Sequence, residues 1–152
     1  LRCVAPSPDG FLALVSGEDG AVIMRDLANG SLVRCFEGHR GPVTSVRCSA
    51  DGQWCVSGGH DKTIRRWEVP SGRAIGEPMV GHTDWLRWIE YSPDGKWIAS
   101  AANDGSVRLW DGMSGAALEP ALLGHTAAAV PSAATQNDLP TRTPHARRRF
   151  RA

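Results

Sequence analysis

The sequence predicts an all-β fold of about three four-stranded antiparallel units, arranged as blades of a partial propeller, and three observations carry that prediction. The first is a tandem repeat: the text from Gly38-His39 to Trp67-Glu68 returns from Gly81-His82 to Trp110-Asp111 with matching residue types. His39, His82 and His125 recur every 43 residues, and a tryptophan stands 28 residues after each of the first two. That period falls in the range of propeller blades. The second is punctuation, since short β-branched or aromatic runs are separated by Asp-Gly and Ser-Gly turns, the pattern of hairpins. The third is that no stretch before residue 125 repeats its apolar positions at the 3.6-residue helical period.

Residues 1–37 form a first, weaker copy, in which Ser7-Pro8-Asp9-Gly10 matches Ser49-Ala50-Asp51-Gly52 and Ser92-Pro93-Asp94-Gly95. Strands are expected at Leu1–Ala5, Leu12–Val15, Val22–Arg25 and Leu32–Phe36. The second copy, 38–80, gives Val43–Cys48, Trp54–Ser57, Thr63–Trp67 and a fourth run near Ala74–Val80. The third, 81–124, gives Leu86–Tyr91, Trp97–Ser100, Val107–Trp110 and Ala117–Leu123. Thr126–Val130 could begin another first strand, which puts the repeat region at 1–130. Beyond it, residues 131–152 hold prolines and arginines with almost nothing to bury, and we expect this tail to be disordered. The sequence opens inside a repeat, so a fragment of a longer protein is expected.

Composition narrows the function classes. Of 152 residues, 41% are hydrophobic and 22% charged, with a formal net charge of +1. No apolar run approaches the roughly 18–20 residues a membrane helix needs, and no basic-then-apolar leader is present. Cys3, Cys35, Cys48 and Cys55 show no disulfide or metal-ligand spacing. Each sits in a strand-like run, where a free thiol acts as a small buried hydrophobe, and an intracellular, cytoplasmic or nuclear protein is expected. The Asn29-Gly30-Ser31 sequon reads as a hairpin turn. Charge is uneven: the tail carries Arg142, Arg147, Arg148, Arg149 and Arg151 against Asp138 alone, leaving a mildly acidic body.

His39, Ser57 and Asp61 are the residue types of a nucleophilic triad, but the set recurs as His82, Ser100 and Asp104. A catalytic reading needs one triad, whereas a stack of blades needs one brace in each. No catalytic residue, metal site or cofactor is assigned. His60 beside Asp61 lacks a second ligand pair. The Gly58–Thr63 loop places Asp61 where a phosphate loop needs glycine. Trp67, Trp110, Trp54 and Trp97 recur between copies and read as core. Trp85 and Trp88 do not recur, with Pro42 and Ser45 in their places.

Gly-His, Ser-Pro-Asp-Gly, Ser-x-x-x-Asp and a closing Trp-Asp at this period resemble the WD40-repeat family of β-propellers over about residues 1–126. The turn text GRAIGEPMVGHTDW is further similar to the repeat arrays of fungal proteins with a signalling NTPase domain. The resemblance implies one hydrogen-bonded brace per blade: His39, Ser57, Asp61 and Trp67 in the second copy, and His82, Ser100, Asp104 and Trp110 in the third. The first copy departs, with Val15 at the serine position, Arg25 at the tryptophan and no histidine, so it should be the least stable. The resemblance also implies a non-enzymatic scaffold whose protein partners dock on loops after Gly-His and before the brace aspartates. Those loops carry Arg40, His60, Trp85, Arg87 and Asn103. Three blades leave apolar faces open, so either self-association that completes a ring or poor solubility is expected. The alternative is binding of nucleic acid or an acidic surface through the arginine tail.

Overall fold

The computed structural model of the chain describes residues 1–123; the strand expected at 126–130 and the basic tail at 131–152 lie outside the described residues. Among the described residues, twelve strands make three four-stranded antiparallel sheets, each in simple sequence order. Sheet one holds β1 (Cys3–Pro6), β2 (Leu12–Ser16), β3 (Val22–Asp26) and β4 (Leu32–Phe36). Sheet two holds β5 (Val43–Cys48), β6 (Trp54–Gly59), β7 (Thr63–Glu68) and β8 (Met79–Val80). Sheet three holds β9 (Leu86–Tyr91), β10 (Trp97–Ala102), β11 (Ser106–Asp111) and β12 (Ala117–Leu123). No helix occurs among the described residues.

The turns explain why the strands end where they do. In each Ser-x-Asp-Gly turn the serine hydroxyl meets the aspartate Oδ1, which also accepts the N–H two residues on, as at Ser49, Asp51 and Gln53. The side chain thereby replaces the ladder bonds that the reversing backbone loses. The sequon is likewise a turn: Asn29 Oδ1 accepts from Ser31 N at 2.8 Å between β3 and β4. One expected strand is mostly absent. Of the run near Ala74–Val80 only Met79–Val80 pairs as a strand, with an isolated bridge from Trp67 to Ala74. Gly76 at φ +65° and Pro78, which has no N–H to donate, break the ladder between them.

The cores lie between sheets. Leu14, Val22, Met24 and Phe36 of sheet one bury against Val43, Val46, Cys55 and Trp67 of sheet two. Val56, Ile64 and Met79 of sheet two bury against Leu86, Ile89, Ile98 and Trp110 of sheet three. Gly58 belongs to the second interface, because a Cβ there would stand 2.4 Å from Ile89 Cδ1. Each sheet thus has an apolar side for each neighbour it meets among the described residues. On sheet two, Ser45 and Met79 are buried beneath sheet three; the matching Trp88 and Leu122 of sheet three are 48% and 56% exposed.

Two expectations about burial need correction. Trp54 and Trp97 are not core but 37% and 43% exposed. Each begins the second strand of its sheet: Trp54 lines an open cleft between sheets two and three, and Trp97 lies with Trp88 and Leu109 on a face of sheet three that no sheet covers among the described residues. Nor are all four cysteines buried: Cys55 is, Cys3 and Cys48 are half-buried, and Cys35 is exposed on the outer strand β4. All four thiols are free.

One backbone position carries strain. Lys62 adopts φ +65°, where the other two repeats place Gly20 and Gly105 at φ +82° and +78°. A side chain in the left-handed region clashes with its own backbone. Lys62→Gly is expected to raise stability by about 0.5–1 kcal/mol, since relief of that clash exceeds the entropy glycine adds to the unfolded chain. Denaturant melts check this, and a lowered midpoint would show the position to be unstrained.

Candidate functional site

Each complete brace is assembled from four segments. In sheet two, β6 supplies Ser57, β7 supplies Trp67, the loop before β5 supplies His39, and the β6–β7 turn supplies Asp61. Trp67 Nε1 donates to Ser57 Oγ at 2.7 Å, Ser57 Oγ lies 2.7 Å from His39 Nε2, and His39 Nδ1 lies 2.8 Å from Asp61 Oδ2. In sheet three the same chain runs from Trp110 through Ser100 and His82 to Asp104 at 2.8, 2.8 and 3.0 Å.

Chemistry fixes the direction of the two end bonds. An indole N–H only donates and a carboxylate only accepts. Serine must therefore accept from tryptophan, and histidine Nδ1 must donate to aspartate. With the proton on Nδ1, a neutral imidazole presents Nε2 as an acceptor for the serine O–H, and that tautomer satisfies every group in the chain.

The carboxylates are held ionised. Burial alone would push Asp61 up, but the hydrogen bond from His39 and the N–H groups of Arg40 and Thr63 hold it well below the usual carboxylate range. Asp104 is held low in the same way, against burial, by the Ser106 hydroxyl and N–H, the Thr83 N–H and His82. Ser106 adds a bond the second repeat lacks, with its Oγ 3.1 Å from His82 Nδ1.

The Ser-His-Asp order of these bonds is that of a hydrolytic triad, but access differs. Ser57 has no exposed surface and Ser100 only 1%, and each hydroxyl already accepts an indole N–H. A nucleophile must reach its electrophile, and these two are sealed beneath a buried ring. Among the described residues no group of three His, Cys, Asp or Glu side chains is placed to hold a metal ion.

The first sheet has no such chain. Val15 pairs with Val4 and Ile23, the register slot that Ser57 fills between Val46 and Arg65. Arg25 stands opposite Ala13, as Trp67 does opposite Cys55, and donates to Gly30 O instead. The neighbouring serine has another role: Ser16 Oγ donates to Val43 O at 3.0 Å and ties sheet one to sheet two.

The five candidate residues, four in loops and Arg87 in β9, fall on the edge of the sheets that carries the braces, and four of them form two pairs. His60, in the β6–β7 turn, stacks on Trp85, in the loop before β9, with ring centroids 4.1 Å apart and planes within 5°. This contact crosses from sheet two to sheet three and leaves Trp85 43% exposed. Arg87 Nε donates to Asn103 Oδ1 at 2.6 Å within sheet three, and Asn103 N donates to Trp85 O. Arg40 is exposed and uses its backbone N–H on Asp61. Trp88 lies apart on the open face, under the Arg47 guanidinium at 5.9 Å.

Two arginines went unnoticed in the sequence. Arg66, buried in β7, reaches across to the backbone carbonyls of Gly112, Met113 and Ser114, the turn that follows Trp110-Asp111. Arg34 of sheet one reaches Pro70 O of sheet two at 2.7 Å. A signal for Arg66 existed, because the matching positions in the other repeats are the apolar Met24 and Leu109.

Stacked four-stranded antiparallel sheets, each complete one braced by Trp, Ser, His and Asp, define the class: blades of a β-propeller. The WD domain, G-beta repeat family matches residues 30–68 and 75–111, and the chain belongs to that family. It is similar to the Periodic tryptophan protein 2 homolog of Schizosaccharomyces pombe, 33% identical over 78 residues, which are 51% of this chain and 9% of that protein. It is also similar to the Ribosome biogenesis protein BOP1 homologs of Monosiga brevicollis and Oryza sativa subsp. japonica. These are 52% identical over 40 residues and 58% over 46, covering 26% and 30% of this chain and 5% and 7% of those proteins. The chain thus spans under a tenth of the length of these relatives.

Trp67→Ala and Trp110→Ala should each lower stability by about 3–5 kcal/mol, through the cavity and the stranded serine. Arg25→Ala should cost far less. Equal losses at positions 25 and 110 in denaturant melts would contradict the absence of a brace in sheet one.

Proposed function

We infer that the chain is a non-enzymatic protein-interaction module and that its partner docks on the rim formed by the loops after Gly-His and before the brace aspartates. The observation that carries this reading is the His60–Trp85 stack. A large indole stands on a loop, half open to solvent, fixed in place by a ring from the next blade. Pre-set aromatic anchors flanked by arginine are the commonest energetic centres of protein interfaces, and Arg40 and Arg87 supply the flanks. Below the rim, the brace residues bond one another and offer nothing to a substrate.

The family and the named relatives support a scaffold role. Ribosome biogenesis, named for two of them, is assembly work of the kind such a scaffold serves; extended to this chain, it is part of the proposal. The free cysteines suit a reducing, intracellular setting. No helix among the described residues is long and apolar enough to cross a membrane. The side of sheet three that the described residues leave open, with Trp88, Leu109 and Leu122, supports association with a further blade, including one from a second copy.

Trp85→Ala should weaken binding to a captured partner by more than about 1 kcal/mol. It should shift folding stability by less, because only one stacking contact is lost. Titration of the purified partner beside denaturant melts tests this. A melt that moves while affinity stays constant would make Trp85 a packing residue and overturn the docking rim.

A further inference from the structure

At the opposite end of the strands, a cleft of about 290 Å³ opens between sheets two and three. Its walls are the Trp54 indole, Ile75 and the Tyr91 ring, and its lips carry Asp51 and Asp94 from the two Ser-x-Asp-Gly turns. The matching place between sheets one and two is closed. There Pro8 packs against Gly52, its Cδ 3.6 Å from where a glycine Cβ would stand, whereas a Cβ on Gly95 would meet nothing within 4 Å. The cause is legible in the repeats: the residue that matches Pro8 in sheet two is Ala50, which is too short to reach across. Trp54 and Tyr91 replace Leu12 and Cys48, so the space is lined with aromatic rings.

The chemistry of the cleft selects its occupant. At this volume it lies at the lower limit of small-molecule sites and suits a single side chain. Asp51 and Asp94 are each held below the usual carboxylate range by their turn serine and by the N–H two residues on, and these bonds use Oδ1. Asp51 Oδ2 has no partner among the described residues, and Asp94 Oδ2 makes only a 3.6 Å contact with the exposed Lys96. The Tyr91 hydroxyl has no hydrogen bond among the described residues; burial pushes its pKa up, so it stays a neutral donor and acceptor. The one cation lining the cleft, Arg66, has both terminal nitrogens engaged by the carbonyls of the 112–114 turn, and Asp111 also feels its charge.

We propose that this cleft is a second docking site that takes an arginine side chain of a partner polypeptide. Its methylenes would lie along Ile75, its guanidinium plane against the aromatic rings, and its forked donors would reach the two lip carboxylates. Lysine fits less well, because a compact ammonium neither stacks on a ring nor spans two acceptors. The site rests on the interaction-module reading but not on Trp85, which lies at the other end of the strands. Either site can fail while the other stands.

The test uses the full chain and the tripeptide acetyl-Gly-Arg-Gly-amide, with its lysine and citrulline counterparts. The readout is the Trp54 indole N–H resonance. The arginine peptide should shift that resonance saturably, the lysine peptide should bind several-fold more weakly, and the uncharged citrulline peptide should not bind. Ala50→Pro recreates the Ser-Pro-Asp-Gly turn of the other two repeats and fills the cleft from one lip. It should abolish the shift and leave the melt unchanged. Asp51→Asn and Asp94→Asn keep the turn acceptor but remove the charge, and each should weaken binding roughly tenfold or more. Equal binding by citrulline, or undiminished binding in Ala50→Pro, would overturn the site. Equal binding by lysine would overturn the assignment to arginine.

Discussion

The hydroxyls of Ser57 and Ser100 are the points on which these blades depend. Each sits at the middle of its sheet, accepts an indole N–H from the third strand and shares a hydrogen bond with an imidazole from the loop before the first. Buried polar groups are tolerated only in pairs, so one unpaired member would leave the others unsatisfied in an apolar setting. The bond therefore fixes the registry of three segments at once. It also places Asp61 and Asp104 at the rim, where they gather the N–H groups of Arg40 and Thr83 and shape the loops beside them.

A brace within each sheet leaves the side faces free to be apolar, and the cores form there. Phe36 meets Trp67 edge-on across the first interface, and Met79 packs with Trp110 at the second. Polar ties reinforce both interfaces, through Ser16 and Arg34 at the first and Arg66 at the second. A sheet of this kind is stable in proportion to the neighbours it has. Among the described residues, sheet one has one neighbour and no brace, and sheet three has a brace and one uncovered face. Sheet two has both.

Much of this was legible in the sequence. Histidine, serine, aspartate and tryptophan at fixed spacing in two copies place the same four side chains together twice, because strand register is set locally by the turns. Strand positions followed from the same turns, except at Ala74–Val80, where Gly76 and Pro78 outweighed an apolar pattern. What the repeats hid was anything that depends on the next blade. Trp54 and Trp97 recur like core residues, yet their exposure is set by how far a neighbour reaches. His60 and Trp85 stack across a boundary 25 residues apart in the chain, a pairing that no single repeat encodes. The cleft beside Ala50 follows from one missing proline, visible only once the turns of adjacent blades are seen to touch.

The central claim is that two tryptophans brace their blades from within while the other four stand at the rim, in the cleft between sheets or on the open face of sheet three. Hydrogen exchange of the six indole N–H groups, followed by nuclear magnetic resonance, tests it most directly. Trp67 and Trp110 should exchange only through large-scale unfolding, because their N–H groups are buried and bonded to serine. Trp54, Trp85, Trp88 and Trp97 should exchange orders of magnitude faster. Exchange of Trp67 and Trp110 at the rate of the exposed indoles would contradict the account.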